Sequence, residues 1–249
     1  MYHDHPQLSP PPDDAVLWRY MDFTKFVSLL EKSALFFCRP DQLGDPFEGS
    51  ISPATPPLLA GELKVGSRIT QGNIDFRQFV RMARVNCWHM GEFESEAMWR
   101  LYTRERDGVA IKTVFARFKE ALVGEASVNV SRVWYRDYRT ERIPFGNALL
   151  PLVHKRISFQ HEQEVRAIYL RIPAEDGQED ADVGYCEVDL PGLVEEIVVA
   201  PFAKDWFVDL VRSLAERYGI GDRVRPSTLS DAPTFTLPVL IPETEKPRS

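Results

Sequence analysis

The sequence predicts an α+β protein. Helical patterns concentrate early and strand patterns late, a strong amphipathic helix follows near the C-terminus, and no internal repeat or clean linker divides the chain. Such an order implies a mixed, mostly antiparallel, bent sheet flanked by helices. A single domain is expected over residues 15–235, with a flexible Pro-rich leader at 1–14, a loop or insertion at about 51–74, and a tail at 236–249.

The elements follow from punctuation and period. "VLWRYM" alternates as a short strand, and Phe23, Phe26, Val27, Leu30 and Ala34 then fall at helical spacing. "LFFCRP" reads as a second strand stopped by Pro40, and "DQLGDPFEGS" as a turn-rich loop around Gly44 and Pro46. Next come a helix at "DFRQFVRMARV", a strand at "VNCWHM", a helix at "ESEAMWRLYTRER" ended by Asp107 and Gly108, a buried strand "GVAIKTV" and a helix "FARFKEAL". Strands are expected at "SVNVSRVWYRDY", "RISFQHEQEVRAIYL", "GYCEVDL" and "VEEIVVA", with "NALLPLVHK" helical between the first two. "KDWFVDLVRSLAERYG" closes the series as an amphipathic helix with Trp206, Phe207, Leu210, Val211, Leu214 and Tyr218 on its apolar side.

Composition narrows the classes. At 249 residues and 44% hydrophobic the chain can bury a sizeable core, and a formal charge of −7 with pI near 5.4 argues against non-specific nucleic-acid wrapping. Cys38, Cys87 and Cys186 lie far apart, which suggests neither a disulfide framework nor a zinc site; a reducing cytoplasm fits. The N-terminal stretch lacks the pattern of a signal peptide, and no run is long and apolar enough for a membrane span. His3 and His5 sit in the leader and read as surface residues rather than metal ligands.

Chemistry concentrates in "SFQHEQEVRAIYL". Read as one strand, it projects Glu162, Glu164 and Arg166 from one face and Val165, Ala167 and Tyr169 from the other. Two like charges two residues apart repel, so a partner or ligand must compensate them. Arg19 on the first strand and Asp45 and Glu48 in a Pro-stiffened loop are the other candidates for a shared cleft. A blander account makes Arg166 an ion-pair partner of Glu164 or Glu48, Met98, Trp99 and Tyr102 a core stripe, and His89 a satisfied structural histidine. Even as core, Tyr102 carries a hydroxyl that needs a partner and can line the cleft from below.

Four motifs occur in order: Trp18 to Tyr20 on a strand, Asp45 to Glu48 in a loop, Met98 to Tyr102 followed by Gly108 and Val109, and Glu162 to Arg166. On these the chain resembles the bacterial DUF2971 family over roughly Leu17 to Leu214, departing from its usual pattern at Phe159 and His89. That resemblance carries no activity with it. The order of an early arginine strand and a late Glu-x-Glu strand is also similar in layout to ADP-ribosyltransferases, although no serine-threonine-serine strand is present. The likeness implies NAD as substrate, with Arg19 on the dinucleotide, Glu164 stabilising a cationic sugar and Glu162 orienting or deprotonating the acceptor. Catalytic candidates are thus Glu164 and Glu162, and ligand-binding candidates Arg19, Arg166, Tyr102, Asp45 and Glu48. A second reading is a metal-dependent phosphodiesterase or nuclease, in which Asp45 or Glu48 holds Mg²⁺ with Glu162 and Glu164, and Lys155 or Arg166 neutralises the scissile phosphate. A third is a non-enzymatic adaptor or sensor that binds another protein.

Overall fold

The computed structural model describes residues 1–55, 69–70, 73–74, 76–103, 107–171 and 183–237. The chain runs β1 (Val16–Asp22), α1 (Phe23–Lys32), β2 (Ala34–Cys38), the short pair β3 (Ile69–Thr70) and β4 (Asn73–Ile74), α2 (Arg77–Met82), β5 (Ala83–Met90), α3 (Glu96–Tyr102), β6 (Gly108–Val114) and α4 (Phe115–Ala121). It continues through β7 (Asn129–Arg132), β8 (Trp134–Arg136), β9 (His154–Arg156), β10 (Glu164–Leu170), β11 (Val183–Glu187), α5 (Leu190–Leu193), β12 (Glu196–Val199), α6 (Asp205–Glu216) and β13 (Val224–Pro226). This is an α+β fold with a mixed sheet in which every pairing is antiparallel except β12 with β13. The separate two-stranded pair β8–β9 is parallel.

The sheet forks. β5 pairs along most of its length with β10, which carries β7 on its far side. The opposite edge of β5 is shared: β2 meets it at Val85, while β1 meets it at His89 and Met90. From those branches the sheet extends through β11 on one side and through β6, β12 and β13 on the other. Between the branches, backbone groups on that edge of β5 lose their ladder partners, and side chains replace them. The Arg19 guanidinium donates to the Cys87 carbonyl at 2.7 Å, and Asn86 Nδ2 bridges to the Phe36 carbonyl at 2.8 Å.

Alternation sorts the two faces. One face of the sheet, bearing Leu17, Trp88, Val165 and Ala167, packs with Phe26 and Leu30 of α1, Phe115 and Phe118 of α4, and Phe207 and Val211 of α6. On the other face Val85 and Ile168 join Val80 and Leu152 in a second cluster, and Trp18 joins Tyr20, Met98 and Trp99 in a third. The pairings Ile168–Val85, Arg166–Cys87 and Glu164–His89, followed by His89–Trp18, put a polar strip between those two apolar clusters.

Several expectations are corrected. The stretch 158–170 is not one strand: Ile157–Glu162 forms a 3₁₀ helix, Gln163 takes a left-handed φ of 41°, and β10 starts at Glu164. A straight strand would hold the two glutamates about 7 Å apart on one face; the tighter path folds Glu162 back to share a cation with Glu164. "NALLPLVHK" supplies only the 3₁₀ turn Leu150–Val153, and "SVNVSRVWYRDY" divides into β7 and β8, Val133 N–H bonding the Glu164 carbonyl. On α6 Phe207, Val208, Val211 and Ala215 form the buried face at helical spacing, with Leu214 and Tyr218 packed partly against it, so of the expected apolar side only Trp206 and Leu210 turn out exposed. The leader has a defined place: Tyr2 bridges Val128, Ser9 N–H bonds Ser131, and Leu8 is buried. Most of the expected insertion at 51–74 lies outside the described residues.

Asn86 is buried and also accepts from Trp88 Nε1 at 2.6 Å, so it closes the fork from within. Asn86→Ala orphans the indole N–H and the Phe36 carbonyl, and should lower unfolding free energy by about 2–4 kcal/mol in urea denaturation.

Candidate functional site

The site starts from Arg166, which is fully buried. Alternation along β10 turns it to the same face as Glu164, and a loop carried by Gly49 brings Glu48 opposite. Gly49 is at φ +69°, and a Cβ there would meet the Val80 side chain at 2.5 Å, so glycine is required by both conformation and space. Arg166 Nε and Nη2 donate to the two Glu164 oxygens at 2.8 and 2.9 Å. Nη1 donates to Glu48 Oε2 at 2.8 Å and to the Leu152 carbonyl at 2.6 Å, and Nη2 also reaches Glu48 Oε1 at 3.3 Å. All five guanidinium N–H groups are thereby engaged. Burial alone would raise the Glu164 pKa, but the Arg166 charge and hydrogen bonds, with Lys155 behind them, bring it down to about 2.

Lys155 lies at the junction of three carboxylates. Its ammonium donates to Glu162 Oε2 at 2.6 Å and stands 3.4 Å from both Glu164 and Glu48. Lys155 and Arg166 are two cations facing three acids, so the third carboxylate is the least compensated. That group is Glu162: burial raises its pKa above the ordinary value, and Lys155 offsets this only in part. Tyr135 fixes the strand start by accepting the Glu164 N–H at 2.8 Å.

Glu162 and Glu164 form part of the wall of a cavity of about 390 Å³ that opens at the fork. Trp18, Tyr20, Phe36, Trp88, Met98 and Tyr102 supply apolar and aromatic surface, while Arg19, His89, Cys38 and Cys87 supply polar atoms. Arg19 makes the single hydrogen bond to Cys87 and, among the described residues, no ion pair. Burial lowers its pKa, yet a guanidinium stays charged at neutral pH. Among the described residues, then, the cavity wall carries one half-buried guanidinium without an ion-pair partner. His89 bonds the Glu162 carbonyl through Nδ1 at 2.7 Å, and burial lowers its pKa; in the neutral ring Nδ1–H donates and Nε2 is an acceptor. Tyr102 is partly exposed, and its hydroxyl pKa is pushed up first by burial and then by the Glu162 carboxylate.

Of the residues named from sequence, Arg19, Tyr102, Glu162 and Glu164 line one cavity. Arg166, Asp45 and Glu48, expected to contact a ligand, do not line it. Glu48 and Arg166 compensate each other in the interior, and Asp45 binds Arg156 at 2.7 Å. Met98 and Trp99 are core, as the helical stripe implies. Sequence reasoning missed Arg156, Tyr135 and Cys87 as site neighbours. The basic pair Lys155–Arg156 directly before the acidic segment was the available signal for the first. Among the described residues, no group of three His, Cys, Asp or Glu side chains is arranged to hold a metal ion. The donor set proposed for Mg²⁺ fits poorly, since the Glu48 and Glu164 oxygens already face Arg166 and Lys155.

Arg166→Met leaves Glu48 and Glu164 with Lys155 alone and should cost about 3–5 kcal/mol in chemical denaturation. The Glu164 pKa is lower in the folded state than its ordinary 4.5, so its stabilisation is present above that value and is lost as pH falls toward about 2. Unfolding measured across this window should show a steep acid loss in the parent and a shallower one in Glu164→Gln; parallel curves would refute the pairing.

Among the described residues no helix is long and apolar enough to cross a membrane. Comparison of the chain with protein-family models, with curated proteins and with solved structures gives no match in any of the three.

Proposed function

We propose that the protein is a transferase or glycohydrolase acting on a nucleotide-like ligand, with NAD as the first candidate substrate. The observation that carries this reading is that one aromatic-walled cavity is lined both by Arg19, a half-buried arginine with no ion pair among the described residues, and by Glu162, a carboxylate that shares its single cation with two others. Arg19 takes a phosphate; Tyr102, Trp18 and Phe36 offer ring faces to a base.

Two roles are reassigned relative to residue order. Glu164 has both oxygens held by Arg166 and acts as a positioning residue, fixing Lys155 and through it Glu162. Glu162 then faces the reacting sugar. As the C1′–N bond breaks, its electron pair leaves with the base, which departs as neutral nicotinamide. The Glu162 carboxylate stabilises the ribosyl cation. An acceptor hydroxyl or water forms the new C1′–O bond and passes its proton to Glu162. Neutral His89 offers Nε2 as an acceptor for a ribose hydroxyl.

Nicotinamide release from NAD⁺, followed by chromatography, tests the reading. Glu162→Gln should lower kcat by roughly 10²–10⁴, while Arg19→Gln should act mainly on KM. Glu162 must be ionised to act and its pKa is raised, so activity should fall with acidification through a pKa above 4.5. Turnover unaffected by Glu162→Gln would refute the assignment. Ligand binding with no turnover would make the protein a nucleotide sensor.

A further inference from the structure

A second hollow, of about 190 Å³, adjoins the cavity and shares Arg19, Met21, Lys25 and Phe36 with it. Its remaining wall comes from the exposed side of α1 and from the edge of the sheet. Leu29 and Leu35 supply apolar surface, and the Ser28 hydroxyl has no hydrogen-bond partner among the described residues. Tyr185 of β11 meets Phe36 edge-to-face at 5.7 Å between ring centres, and Lys32 covers the Tyr185 ring at 4.7 Å. A space of this size is about six times the ~30 Å³ share of a water molecule, which suits one flat ring and little more.

Arg19 therefore stands where two ring-sized spaces meet, rather than at the end of one. Its four remaining N–H groups have no partner among the described residues, and Lys25, paired among them with Asp22 at 3.2 Å, adds an exposed positive charge on the same side. A mononucleotide would fill the larger cavity and leave the smaller one to water.

We propose that a single elongated ligand threads both hollows, with its linking phosphates on Arg19 and Lys25, its reacting end by Glu162 and a second ring in the smaller hollow, walled by Ser28 and Leu29 on one side and by the Phe36–Tyr185 pair on the other. The substrate class is accordingly two ring-bearing groups joined through phosphate. This proposal rests on the nucleotide reading above and adds the occupant of the second hollow.

NAD⁺ and nicotinamide mononucleotide share the reacting end and differ by the second lobe, so their affinities separate the two ideas. Calorimetric titration of the full chain, in the parent and in Glu162→Gln to prevent turnover, should give NAD⁺ at least about tenfold the affinity of the mononucleotide. Ser28→Trp places an indole in the smaller hollow from a half-buried position on α1. It should bring NAD⁺ down to the affinity of the mononucleotide and leave the mononucleotide unchanged, with an unaltered thermal midpoint showing that the fold is intact. Arg19→Met should weaken both. If both probes bind alike and Ser28→Trp changes neither, the second hollow is not a subsite, while the nucleotide reading stands. If neither probe binds the parent or Glu162→Gln, both proposals fall.

Discussion

The Arg166 guanidinium is the constraint on which the rest of the site depends. A charge with no solvent contact survives in a protein interior only when its donors are met and its charge is balanced. Here five acceptors from three chain segments meet it: the Glu48 loop, the Leu152 turn and Glu164 on its own strand. Each segment is far from the others in sequence, and each is pinned by the same group. The arrangement specifies geometry more than it adds stability, since well-packed apolar residues of similar volume could replace such a network at little cost. What apolar residues could not do is hold Lys155 against Glu162.

That hold links the interior to the cavity. Moving outward from Arg166, compensation declines: Glu48 and Glu164 are bound on both oxygens, Glu162 shares one ammonium, and Arg19 has only a backbone carbonyl. The forked sheet is what permits this gradient. Had β1 and β2 run as adjacent partners of β5, ladder hydrogen bonds would have met the Cys87 carbonyl and closed the space that Arg19 enters. The split costs backbone pairing, and Asn86 and Arg19 recover part of it by reaching across.

Much of this was legible in the sequence, and for a physical reason. Period and punctuation report local structure, so β1, α1, β2, β5, α3, β6 and α4 fall where alternation and helical spacing put them. The pairing of Glu164 with Arg166 was readable because a strand alternates. Three features were not. The 3₁₀ path through Ile157–Glu162, which brings Glu162 onto the Lys155 ammonium, is not marked by any alternation or helical spacing. The buried side of α6 is set by how the helix is turned toward the sheet, which hydrophobicity alone does not report for Trp206 and Leu210. Nor does composition distinguish an acid that faces a cavity from one, such as Asp45 beside Arg156, that seals the interior behind it.

The surplus of acids over bases around Lys155 couples the charge state of Glu162 to whatever charge enters the cavity it lines. An anion arriving at Arg19 adds negative potential close to a carboxyl group whose ionisation is already opposed by burial. Thermodynamic reciprocity then ties the two equilibria: whatever shift a bound charge causes at Glu162, the protonation state of Glu162 returns to the affinity for that charge. For any charged ligand that enters there, the heat of association would accordingly vary with the ionisation enthalpy of the buffer.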